Sequence, residues 1–137
     1  MLHLHSTIAI VLLLALVISI VITLMNYLGN KPYNRKIALL GFIVSHIQLL
    51  VGLILYFVLK YPSMISGSVM KDPTLRLKII EHPLTMIIAI VLITIGYSKA
   101  KKMENPRKAN QTVVIFYIIG LILMLARIPW GTWSLFA

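Results

Sequence analysis

Apolar residues run through the sequence in four long blocks, separated by short clusters of Lys, Arg, Asn, Pro and Gly. The blocks cover about Thr7–Leu28, Ile37–Leu59, Ile79–Ser98 and Gln111–Ile128. Each is close to the roughly 20 residues that a helix needs to cross a hydrocarbon core. The pattern predicts an all-α chain, a single transmembrane domain over residues 1–137 built as a four-helix bundle with antiparallel up-down connections. Residues 29–36 and 99–110 carry Pro32 and Pro106 among clustered charges, the signature of short water-facing turns. The first block lacks a basic stretch ahead of it and is much longer than a signal-peptide core, so it is expected to be a retained span.

The connection between the second and third blocks, residues 60–78, is the one sizeable polar stretch. Within it, Asp72 followed by Pro73 reads as a helix N-cap with proline in the first helical position. A helix that started only at Pro83 would reach Ser98 after sixteen residues, about 24 Å of helix against a core of about 30 Å. One long helix from Pro73, kinked near Pro83, is therefore expected. Proline there frees the carbonyl of Ile79 for a donor on a neighbouring element.

Composition strengthens the membrane assignment: 60% of the residues are apolar and only 12% charged, with a mean hydropathy of +0.97. Soluble domains are nearer a quarter charged. Thirteen Lys and Arg face only Asp72, Glu81 and Glu104, for a net charge of +10. The basic residues fall between the apolar blocks and not along one stripe, which argues against nucleic acid as a partner. Eight lie in the first and third connections and five on the other side. That bias predicts both termini on the outer, periplasmic side of a bacterial inner membrane. Trp130 and Trp133 suit an aromatic belt at that interface. The absence of cysteine excludes disulfides, thiolate metal sites, covalently attached haem and a cysteine nucleophile.

Ionisable or strongly polar side chains within a bilayer are costly and therefore mark candidate sites. Here they are His46 and Gln48 in the second block, Glu81 and His82 at the start of the third, and Arg127 at the end of the fourth, with His3 and His5 ahead of the first. No carboxylate pair is set up for hydrolysis. Neutral imidazoles from different helices of a bundle are the usual means of holding a b-type haem. At 1.5 Å per residue, His46 stands roughly 15 Å above Lys36, His82 roughly 26 Å above Lys99 and His5 roughly 32 Å above Asn26. His82 thus belongs to either pairing. The favoured metal-ligand pair is His46 with His82, because both lie within spans while His5 sits at a terminus that tends to fray. The alternative for His46 is a hydrogen bond between helices. Arg127 could clamp a haem propionate, anchor at the interface or pair with Glu81. Gln48 points to a different face from His46 and is expected to bond a neighbouring helix, while Gly41, Ser45, Gly52, Gly96 and Gly120 mark close helix approach.

Several runs also resemble a family of small bacterial four-helix membrane proteins catalogued as cytochrome B-like. They are Leu4-His5-Ser6, His46-Ile47-Gln48-Leu49-Leu50, Gly52 to Phe57, Met70-Lys71-Asp72, Glu81-His82-Pro83, Ala89 to Gly96 and Ile128-Pro129-Trp130. The family commonly carries an arginine shortly after its His-Ser pair, and Thr7–Ala9 has none. The resemblance implies a haem b carried by His46 and His82, with His5 as a further candidate. The expected function is a membrane-embedded b-type haem protein taking part in electron transfer, beside a larger membrane complex or as a homo-oligomer. Two other readings stand beside it: a cofactor-free accessory or structural subunit of such a complex, and a proton- or quinone-handling module using Glu81 and His82.

Overall fold

The computed structural model of the protein describes residues 2–133, and the described residues contain no strand. The helices are α1 (Leu2–Leu28), α2 (Arg35–Val58), the short α3 (Tyr61–Met64), α4 (Gly67–Lys71) and α5 (Pro73–Arg76), then α6 (His82–Lys101) and α7 (Pro106–Arg127). A π-helical turn, Leu77–Glu81, joins α5 to α6. Four stretches, Leu2–Leu28, Arg35–Val58, Pro73–Lys101 and Pro106–Arg127, are long and apolar enough to cross a membrane. They pack as an antiparallel bundle in which α1 lies against α2 and α7, and α6 against α2 and α7. We call the end with the 29–34 and 102–105 connections the turn end, and the opposite end, where the described chain starts and finishes, the terminal end.

The surface of the bundle is built from large aliphatic side chains, with Leu14, Leu50 and Ile122 each about 60% exposed, while Ser19, Ser45, Thr23 and Asn110 are fully buried. This inverted pattern follows from the solvent. Lipid is as apolar as leucine, so cohesion between the helices comes from close packing and interhelical hydrogen bonds. The Ser19 hydroxyl donates to the Ile37 carbonyl at 2.7 Å, and the Tyr117 hydroxyl to the Ala38 carbonyl at 2.6 Å. Both reach the start of α2, beside Gly41, where an added Cβ would lie within 3.2 Å of Ser19, Leu16 and Tyr117. The tightest approach is Gly96 of α6 against α7, where a Cβ would stand 2.5 Å from that of Phe116.

The turns at the turn end are closed by local chemistry. Asn30, at a φ of 51°, ends α1 in the left-handed conformation. The Lys31 N–H then reaches the Asn26 carbonyl at 2.8 Å and the Asn30 N–H the Tyr27 carbonyl at 3.3 Å, a Schellman closure. Arg107 ties this turn to α7 by donating to the Asn30 side chain and the Tyr27 carbonyl while lying over the Tyr27 ring. Asn34 and Asn105 cap α2 and α7.

The third span begins where the Asp72-Pro73 pair predicts. The Asp72 carboxylate accepts from the N–H groups of Thr74 and Leu75 at 3.0 and 3.3 Å. Helix continues from Pro73 to Lys101, and the disturbance around Pro83 takes the form of the π turn. The Ile79 carbonyl accepts from the Tyr56 hydroxyl of α2 at 2.9 Å. At the other end of the chain the structure departs from expectation, for α1 starts at Leu2 and brings His5 inside a helix. The physical reason is on α2, where the Gln48 amide donates to the His5 carbonyl at 2.8 Å.

Candidate functional site

The terminal half of the bundle holds a partly open cavity of about 490 Å³ between the beginning of α1, the end of α2, the start of α6 and the end of α7. Its walls are mostly Leu, Ile, Met and Pro, and the polar side chains among them include His5, Ser6, Gln48, Tyr56, Tyr61, Lys78, His82 and Thr132. Such a volume, apolar with a few polar groups, is in the range of small-molecule and cofactor sites.

His82 is the first residue of α6, and its Nδ1 lies 2.9 Å from the carbonyl of Arg127. Arg127 is the last residue of α7, and the final carbonyls of a helix lack intrahelical partners. A carbonyl can only accept, so Nδ1 carries a proton, and in the neutral ring Nε2 keeps its lone pair. The His5 ring stands 6.2 Å from the His82 ring, centroid to centroid, with the planes nearly perpendicular. His5 Nδ1 and Gln48 Oε1 are both buried without a hydrogen-bond partner. Gly52, one helical turn beyond Gln48 on α2, makes room for the ring, since a Cβ there would stand 3.2 Å from His5 Cε1. Gln48 and Gly52, four residues apart, thus share the face of α2 that seats the start of α1.

His46 lies outside the cavity. Its Nδ1 donates to the Phe42 carbonyl at 2.7 Å, and its Nε2 faces the Thr94 hydroxyl of α6 at 3.1 Å. That hydroxyl is also 2.7 Å from the Ile90 carbonyl, so its single proton is shared between the two acceptors. The ring is further held by Phe42, which packs between His46 and Tyr97. The structure therefore brings His5 and His82 together and seats His46 in a tie between α2 and α6.

Arg127 turns towards Glu81, with Nε 3.7 Å from Oε1. The other oxygen of Glu81 takes Arg76 Nε at 2.8 Å, and Arg76 also donates to the Met70 carbonyl. Of the alternatives read from sequence, the contact present is the pair with Glu81, and it holds the end of α7 beside the π turn. His3 is exposed. Sequence reasoning passed over Lys78 and Tyr56 as cavity residues and Thr94 as the partner of His46. The spacing of Lys78, four residues before His82, was the available signal. The hydroxyls carried none, because their partners come from other helices.

No protein-family model matches the chain, and no curated protein and no solved structure matches it.

Proposed function

We propose that the chain is a membrane-embedded b-type haem protein that takes part in electron transfer beside a larger complex of a bacterial inner membrane, with His5 and His82 as the axial ligands. The observation that carries this reading is the pair of imidazoles facing one apolar cavity from different helices, 6.2 Å apart. The donor set fits the group. Metal-ligating histidines usually give their second ring N–H to a carbonyl or carboxylate, as His82 does to Arg127. When bound, haem supplies one-electron iron chemistry.

The protein's own residues prepare the site. The Arg127 carbonyl fixes the tautomer and orientation of His82 and raises its basicity. Gln48 holds the backbone of His5, so that the first turns of α1 do not fray. The aliphatic walls lower the local dielectric beside the two rings, which strengthens each polar contact made there.

The test is the absorption spectrum of detergent-purified protein expressed with haem available. The dithionite-reduced wild type should show sharp b-type bands, as expected for two imidazole ligands. His82→Ala and His5→Ala should abolish or convert them, while His46→Ala keeps them and loses only the contact with Thr94. Loss of the bands in His46→Ala alone would return the ligand role to His46. A wild-type protein without Soret absorption would overturn the haem reading and favour the cofactor-free accessory subunit.

A further inference from the structure

Among the described residues that line the cavity, Lys78 is the one permanently charged side chain. It projects from the π turn, four residues before His82, and is half-buried. Among the described residues no acid pairs with it. Asp72 caps the N–H groups of Thr74 and Leu75, Glu81 is held between Arg76 and Arg127, and Glu104 follows α6 at the opposite end of the bundle. No ion pair or hydrogen bond engages Lys78 within the described residues. A half-buried lysine beside a mostly apolar cavity, with the described acids committed elsewhere or at the far end of the bundle, is suited to an anion that arrives with the ligand. Arg127, the guanidinium that the sequence marks for a carboxylate, is turned to Glu81 and does not line the cavity.

We propose that Lys78 receives the carboxylate of an amphiphilic ligand whose apolar body fills the cavity. The identity of that ligand rests on the haem reading above, under which the carboxylate is a propionate. A long-chain fatty acid presents the same chemistry, so the experiment separates the two sources.

Full-length purified protein is titrated with haem b, with the dimethyl ester of haem b, which lacks free carboxylates, and with oleate. Wild type should bind the free acid about tenfold more tightly than the ester, the size of one charge-assisted contact. Lys78→Met should lose that preference while binding the ester as wild type does, which also shows that the cavity is intact, and Lys78→Arg should restore it. Lys78→Gln serves as a second neutral variant should the methionine disturb packing. If the neutral variants keep the tenfold preference, Lys78 merely extends to the membrane surface and the proposal falls, with the haem reading untouched. If wild type binds neither porphyrin but binds oleate in a Lys78-dependent manner, the carboxylate site stands and the haem reading falls. If neither porphyrin nor Lys78-dependent oleate binding is seen, both fall.

Discussion

Single side chains in this bundle are explained by where their second hydrogen bond goes. His46 and His82 are both imidazoles at membrane depth, yet His46 has both nitrogens engaged within the helix pair while His82 engages one and lines a cavity. Residue type predicts the cost of burial, and only the neighbours decide whether a lone pair is left for a ligand. Tyr33, in the connection between α1 and α2, shows the opposite case of a polar group with nothing to gain. Its hydroxyl is buried without a partner. Burial and then the neighbouring Tyr97 push its pKa up to about 12, against the opposing effect of Arg35. A tyrosine whose folded pKa is raised contributes stability that is intact below its unfolded value of 10.0 and is lost as pH rises from there towards 12. Tyr33→Phe should therefore leave thermal stability at pH 7 within about 0.5 kcal/mol of wild type and extend the alkaline limit of folding. A clear loss of stability at pH 7 would show that the hydroxyl is bonded.

At the scale of elements, the helices are joined at a few points where small residues admit a neighbour. Gly96 is the sharpest, because the opposing atom is the Cβ of Phe116, which moves only with its backbone. Gly96→Ala should destabilise the protein by about 1–3 kcal/mol, the usual cost of overpacking, read from thermal unfolding in detergent. Gly67→Ala is the control, since nothing stands within 4 Å of a Cβ there. Equal behaviour of the two variants would mean that α6 and α7 do not approach so closely. The third span illustrates a second rule for elements. Its start at Asp72-Pro73 was legible from residue types whose capping role is local, and so was the freed Ile79 carbonyl. Conversion of the kink into a π turn was not, because it depends on how Tyr56 of α2 and the Arg76-Glu81-Arg127 contacts hold the backbone from outside.

For the whole molecule, the antiparallel path places the 59–72 connection and the 102–105 turn at opposite ends of the bundle. The chain has no native cysteine, so single introduced thiols report sidedness directly. Ser66 and Asn105 are helix caps, which makes the exposed neighbours Gly67 and Glu104 better positions. With the proposed orientation, an impermeant thiol reagent on intact cells should label Gly67→Cys and spare Glu104→Cys. The reverse pattern would invert the protein in the membrane, and labelling of both would contradict the antiparallel path itself.

What the sequence determined unaided was whatever is set by local or summed properties. The length and apolarity of four blocks dictate four helices, because a backbone in lipid must satisfy its own hydrogen bonds. The Asp72-Pro73 pair, acting on its own N–H groups, dictates where the third span begins. The choice of partner for each histidine was decided by the tertiary structure alone. Depth counted along single helices left both pairings open, and His46 was preferred to His5 because it lies within a span, yet Gln48 and Gly52 of α2 seat the start of α1 so that His5 meets His82. Such a meeting depends on the rotation and tilt of helices about one another, which follow from packing between them and leave no trace in the sequence of any one helix.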